Sequence, residues 1–64
     1  MKTLYDVEAD ALFVRFSDDP IQESEEVRPG LIVDLDATGH IVGFELLDAK
    51  QQLSAGALAR LAAA

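Results

Sequence analysis

Apolar and polar residues alternate over the first 47 positions, in short runs broken by turn-forming residues; the last sixteen change to a helical rhythm. Lys2 to Val7 and Ala11 to Ser17 carry the β-branched and aromatic residues of two strands, and Glu8-Ala9-Asp10 between them suits a tight hairpin connection. In the second strand Leu12, Val14 and Phe16 point to one side, Phe13 and Arg15 to the other. Asp18-Asp19-Pro20 ends it, because proline cannot donate to a ladder. The stretch Ile21 to Val27 is too acidic to be buried and is expected as an exposed edge or loop.

Pro29-Gly30 then turns the chain into Leu31–Asp36, and Ile41–Leu47 follows after Ala37-Thr38-Gly39-His40. Aspartate favours the first position of a type I turn and glycine the left-handed position after it, so Asp36-Ala37-Thr38-Gly39 predicts a type I turn with a glycine bulge. Continued without interruption, that register sets Leu35 opposite Ile41, Asp34 opposite Val42, Val33 opposite Gly43, Ile32 opposite Phe44 and Leu31 opposite Glu45. Ser54 is a fair N-cap for a helix over Ala55 to Ala63, with Leu58 and Leu61 on its inner face and Leu53 packing just ahead of it. The expected fold is α+β: one domain over 1–64, with a small twisted antiparallel sheet of about four strands over 1–48 and one C-terminal helix within 49–64.

Both sides of the Leu31–Leu47 hairpin are substantially apolar, and a single short helix can cover only one of them. A chain of 64 residues without cysteine lacks disulfides and thiolate metal sites, so self-association is the expected support, as a homodimer or higher homo-oligomer. All twelve acidic residues lie within the first 48, with three of the five basic ones; Lys50 and Arg60 follow, and the net charge is −7. Such a surface repels phosphate backbones and anionic lipid, which argues against direct nucleic-acid or membrane binding. No apolar run approaches the ~20 residues that cross a bilayer, and the start lacks the apolar core of a signal peptide, so a cytoplasmic location is expected.

Candidate chemistry is sparse. Asp34, Asp36, Thr38, Gly39, Ile41 and Glu45 match a calcium-loop expression, but the flanking segments read as strands where that loop needs helices. The uninterrupted register also puts Glu45 on the side of the sheet opposite Asp34. A softer alternative is a weak divalent-cation site, or a small metal-dependent enzyme, using Asp34 and Asp36 near His40; against it stands the reading that these aspartates only solubilise a half-exposed face. Ser17, Ser24 and Ser54 have only His40 as a possible base, with no evident geometry toward it. Arg15 and Glu45 are embedded in strand patterns, and an ion pair between neighbouring strands would explain both. No catalytic, cofactor-binding or metal residue is assigned, and no cofactor.

Tyr5-Asp6, Asp10-Ala11-Leu12, Arg15-Phe16, Glu25-Glu26-Val27 through Gly30, and above all Ile32-Val33-Asp34-Leu35-Asp36 with Gly39, Ile41-Val42-Gly43 and Glu45-Leu46-Leu47-Asp48 resemble the small prokaryotic family called domain of unknown function 2283. The similarity covers about residues 1 to 49, and the alanine-rich tail departs from it. The resemblance implies a stand-alone, cytosolic-type protein and brings no activity, cofactor or catalytic residue. Some similar proteins are encoded beside small toxin-like proteins, which would suit an acidic chain neutralising a basic partner. The function expected is therefore a non-enzymatic, oligomeric interaction module whose acidic surface, including the run from Asp18 to Glu26, binds a basic protein partner as an antitoxin-like or regulatory accessory. A purely structural homo-oligomer is the remaining alternative.

Overall fold

The computed structural model describes residues 1–63. Five strands, β1 (Lys2–Asp6), β2 (Ala11–Arg15), β3 (Glu23–Arg28), β4 (Leu31–Leu35) and β5 (Ile41–Leu46), form one antiparallel sheet in the order β1-β2-β5-β4-β3. Two helices follow, α1 (Ala49–Gln52) and α2 (Ala55–Ala63). The α+β class is as expected, with one strand and one helix more than the hydrophobic pattern indicated. The added strand is β3, within the acidic stretch: all six of its residues are exposed, so neither face imposes apolar alternation, yet its backbone pairs with β4. No described helix is long and apolar enough to cross a membrane.

Directly paired residues share a face of the sheet. The helices lie on the face that carries Leu12, Val14 and Leu46, which cluster with Ala49 while Tyr5, Leu31, Phe44, Leu53 and Leu61 pack around them. The turn forms as predicted: Gly39 has φ of 85°, its N–H donates to the Asp36 carbonyl, and Leu35 pairs with Ile41. Beyond it the register differs from the uninterrupted one. Asp34 pairs with Gly43, Val33 with Phe44, Ile32 with Glu45 and Leu31 with Leu46, so Val42 is an extra, bulged residue and is itself buried. The bulge moves every later β5 side chain to the other face. Leu46 thereby enters the core in place of Glu45, whose carboxyl would otherwise lie among the apolar residues beneath the helices.

Helix α1 is only four residues long and its own N-cap residue, Asp48, makes no side-chain cap; Asp48 sits in the left-handed region at φ 53°. Its start is held from a distance. The Asp10 carbonyl accepts the Ala49 N–H at 3.0 Å and the Asp10 carboxylate accepts the Lys50 N–H at 3.2 Å. The Tyr5 hydroxyl donates to the same carboxylate, and this bond, ahead of burial and the nearby acidic charge, raises the Tyr5 pKa above its ordinary value. At the other end of α1, Gln52 Nε2 donates to the Pro29 carbonyl at 2.8 Å, over Gly30 at φ 84°, where a Cβ would meet that amide. The β1–β2 hairpin and the β3–β4 turn thus clamp α1 to the sheet. Helix α2 starts as the sequence predicts, with Ser54 Oγ accepting the Ala57 N–H at 3.1 Å.

Removing the remote cap should cost what a local cap costs. Asp10 is itself in the left-handed region at φ 52°, so Asp10→Gly, which removes the carboxylate without straining the backbone, is expected to lower the unfolding free energy by about 1–2 kcal/mol in urea titrations. Asp48→Asn, which keeps a residue tolerant of the left-handed region, should change it by less than about 0.5 kcal/mol. Equal losses in the two variants would contradict a cap supplied by Asp10.

Candidate functional site

The helix-free face of the sheet is read directly from the registers. One row across all five strands runs Leu4, Phe13, Glu45, Ile32, Glu26. The adjacent row runs Lys2, Arg15, Gly43, Asp34, Ser24. Gly43 is obligatory in that row, since a Cβ there would stand 2.4 Å from the Val14 carbonyl oxygen and 3.1 Å from Arg15 Cδ. The space a side chain would fill is occupied by Arg15, whose Nη2 donates to the Asp19 carbonyl at 2.6 Å.

Asp34 is almost completely buried, at 1% exposure. It accepts a hydrogen bond from Ser24 Oγ at 2.8 Å, and Glu45 is its diagonal neighbour on β5, on the same face. Burial, then the hydrogen bond with Asp34 and the Asp34 charge, raise the Glu45 pKa above the ordinary carboxyl value. These two acids therefore meet on one face, which corrects the expectation that they lie on opposite sides; the Val42 bulge is the physical reason. The expected Arg15–Glu45 ion pair is likewise replaced: among the described residues Arg15 bonds the Asp19 carbonyl and Glu45 neighbours Asp34.

Asp36 has a different task. Its Oδ1 accepts from the Thr38 N–H, the Thr38 hydroxyl and the His40 N–H, all at 2.9 Å, while Thr38 Oγ1 lies 2.8 Å from His40 Nδ1. The His40 backbone bond first, and the Thr38 hydroxyl next, lower the Asp36 pKa. Among the described residues no three His, Asp or Glu side chains group closely enough to hold a metal ion. The serines are engaged elsewhere: Ser17 with Asp19, Ser24 with Asp34, Ser54 at the start of α2.

Two further surfaces complete the picture. On the helix side, α1 and α2 leave an open apolar groove of about 490 Å³, lined by Phe16, Leu31, Val33, Ile41, Phe44 and Leu53 together with Arg28 and Gln52. Phe16 and Phe44 meet there at 6.1 Å between ring centres. At the sheet edge β3 presents Glu23 and Glu25 on the groove side, opposite Leu35 and Val33, and Ser24 and Glu26 on the other. The acidic run was visible in the sequence; the groove and the Asp34–Glu45 pair were not, because both depend on the bulged register and on where the helices stop.

A family model described as "Protein of unknown function (DUF2283)" matches residues 2–50, about three-quarters of the chain. No curated protein and no solved structure matches it.

The sign of the Glu45 effect on stability follows from its direction of shift. A carboxyl whose pKa is raised by folding penalises the native state as pH rises through the interval between its ordinary and raised values, and the penalty persists above it. Glu45→Gln should therefore raise the melting temperature at neutral pH and bring no such gain below about pH 4. Asp36 acts oppositely, since its stabilisation is present above the ordinary aspartate range and is lost as pH falls through its lowered value. A Glu45→Gln gain of equal size at both pH values would contradict a raised Glu45 pKa.

Proposed function

Because this chain belongs to the DUF2283 family, which brings no activity with it, we propose from its own surfaces that it is a non-enzymatic interaction module that takes a basic segment of a protein partner along its acidic β3 edge. The carrying observation is that β3 is an outermost strand with every residue exposed and three glutamates in six positions. An unpaired strand edge is a template for one more strand, and main-chain hydrogen bonds supply the affinity of such an addition. The glutamates decide which strand is welcome: a second β3 edge is repelled, a lysine- or arginine-bearing one is attracted. Beside the edge, the groove of Phe16, Leu31, Val33, Ile41 and Phe44 can take apolar side chains of the same partner.

The absence of an enzymatic role in this reading is supported by the tasks the acids already perform. Asp10 holds α1, Asp36 holds the β4–β5 turn, and Asp34 is bound to Ser24. A module of this kind acts by occupying its partner, as an antitoxin-like neutraliser or a regulatory accessory in the cytoplasm does.

Fluorescence anisotropy with a labelled peptide alternating lysine or arginine with valine or isoleucine tests the reading. Binding is expected to weaken at least about ten-fold between low and physiological salt, and Glu23→Lys with Glu25→Lys should remove it. An acidic peptide of the same apolar pattern should not bind. Equal affinity for both peptides, or unchanged affinity of the double variant, would reject a basic partner at this edge.

A further inference from the structure

The helix-free face raises a separate question, independent of what β3 binds. The described helices and the residues packed on the core all lie on the other face, while Leu4 on this one is 64% exposed and Phe13, Ile32 and Glu45 are only half-buried. The chain exposes 4672 Å². A folded monomer of 6.9 kDa is expected to expose about 4,000 Å². The excess, roughly 700 Å² over the whole surface with the groove included, is of the order of the ~800 Å² that one partner contributes to a stable interface.

We propose that this face is the interface between two copies of the chain, packed sheet on sheet about a two-fold axis that runs along β5. Charge complementarity selects both the occupant and the axis. The two rows are basic toward β1 and β2, at Lys2 and Arg15, and acidic toward β4 and β3, at Asp34 and Glu26. A two-fold along the central strand lays β1 over β3 and β2 over β4 of the second copy. Arg15 then stands over Asp34, Phe13 over Ile32, Leu4 over Glu26, and Lys2 over Ser24 with Glu26 as its diagonal neighbour. A two-fold across the strands would instead stack each strand on itself, the acidic end of the face on the acidic end and the basic on the basic.

The centre of the face obeys the same logic. The row places Glu45 on β5 between Phe13 and Ile32, and two copies would bring Glu45 against Glu45. The half-buried position of Glu45, which raises its pKa, lowers the cost of that approach. Arg15 is equipped for the cross-copy contact, because its guanidinium has five N–H donors and the described residues take one, at the Asp19 carbonyl. The helices stay on the outside of the resulting sandwich, and both β3 edges stay open.

Sedimentation equilibrium over a wide concentration range tests this, with far-UV circular dichroism to verify folding. The native chain should weigh twice its monomer mass in the micromolar range. Leu4→Glu, at an exposed edge position where the monomer tolerates it, should raise the dissociation constant at least about ten-fold, and Ile32→Glu as much or more. Lys2→Glu should weaken the dimer, and Glu26→Lys added to it should restore the affinity. Ile41→Glu, in the groove on the other face, should leave the dimer intact. A native chain that stays monomeric at hundreds of micromolar, a dimer indifferent to Leu4→Glu and Lys2→Glu, or one lost with Ile41→Glu would each overturn the proposal. Should Ile32→Glu unfold the chain, Leu4→Glu and the Lys2/Glu26 exchange decide.

Discussion

The organisation of this chain depends on a one-residue offset between β4 and β5, created where Val42 bulges out of the ladder opposite the Asp34–Leu35 step. Side chains in a strand alternate faces, so one extra residue exchanges the two faces for everything beyond it. Leu46 goes inward to join Leu12, Val14 and Ala49, and Glu45 goes outward to join Asp34. The alternative register would put a carboxyl under the helices and expose a leucine. Both terms disfavour it, since burying an unpaired charge costs several kcal/mol and withholding a leucine from the core forfeits roughly 1.5–3 kcal/mol.

The second constraint is shortage of covering material. Two helices totalling thirteen residues lie on a five-stranded sheet, and they shelter the Tyr5, Leu12 and Leu46 region while leaving Phe16, Ile41 and Phe44 in an open groove. Helix α1 is too short to persist alone and is made permanent by groups far away in sequence, Asp10 at its start and Gln52 reaching the Pro29 carbonyl at its end. Acidic residues therefore serve three distinct purposes: Asp10 and Asp36 as acceptors for backbone N–H groups, Asp34 and Glu45 as neighbours on the helix-free face, and the β3 glutamates as a charged edge. A surface of net charge −7 is thus not a uniform coat. Three of its carboxylates, Glu23, Glu25 and Glu26, stand on the β3 edge, and Asp34 and Glu45 lie on the helix-free face.

What the sequence disclosed and what it withheld divide along the range of the interactions involved. The Asp36–Gly39 turn and the Ser54 cap are encoded within four residues, and both formed where the residues indicated. Strands β2, β4 and β5 were legible because each has at least one sheltered side to impose alternation, and β1, exposed except at Tyr5, by its β-branched and aromatic residues. β3 has none, and only its acidity showed, which marked an edge without disclosing the ladder. α1 escaped because its cap lies about forty residues away in sequence, at Asp10. The bulge left one trace, a glycine inside an apolar strand: Gly43 is needed where Val14 and Arg15 press against β5, and such a glycine often marks an irregular ladder. With that trace unread, Glu45 was assigned to the wrong face, and the carboxyl pair with it.

The register itself can be measured in solution. Cross-strand nuclear Overhauser contacts between β4 and β5 distinguish the two pairings without substitution. The bulged ladder requires Asp34 to face Gly43, Val33 to face Phe44 and Ile32 to face Glu45, with Val42 lacking a partner of its own on β4. Contacts of Asp34 with Val42, Val33 with Gly43 and Ile32 with Phe44 would show an unbroken ladder, and would dissolve the carboxyl pair and the face that is built around it.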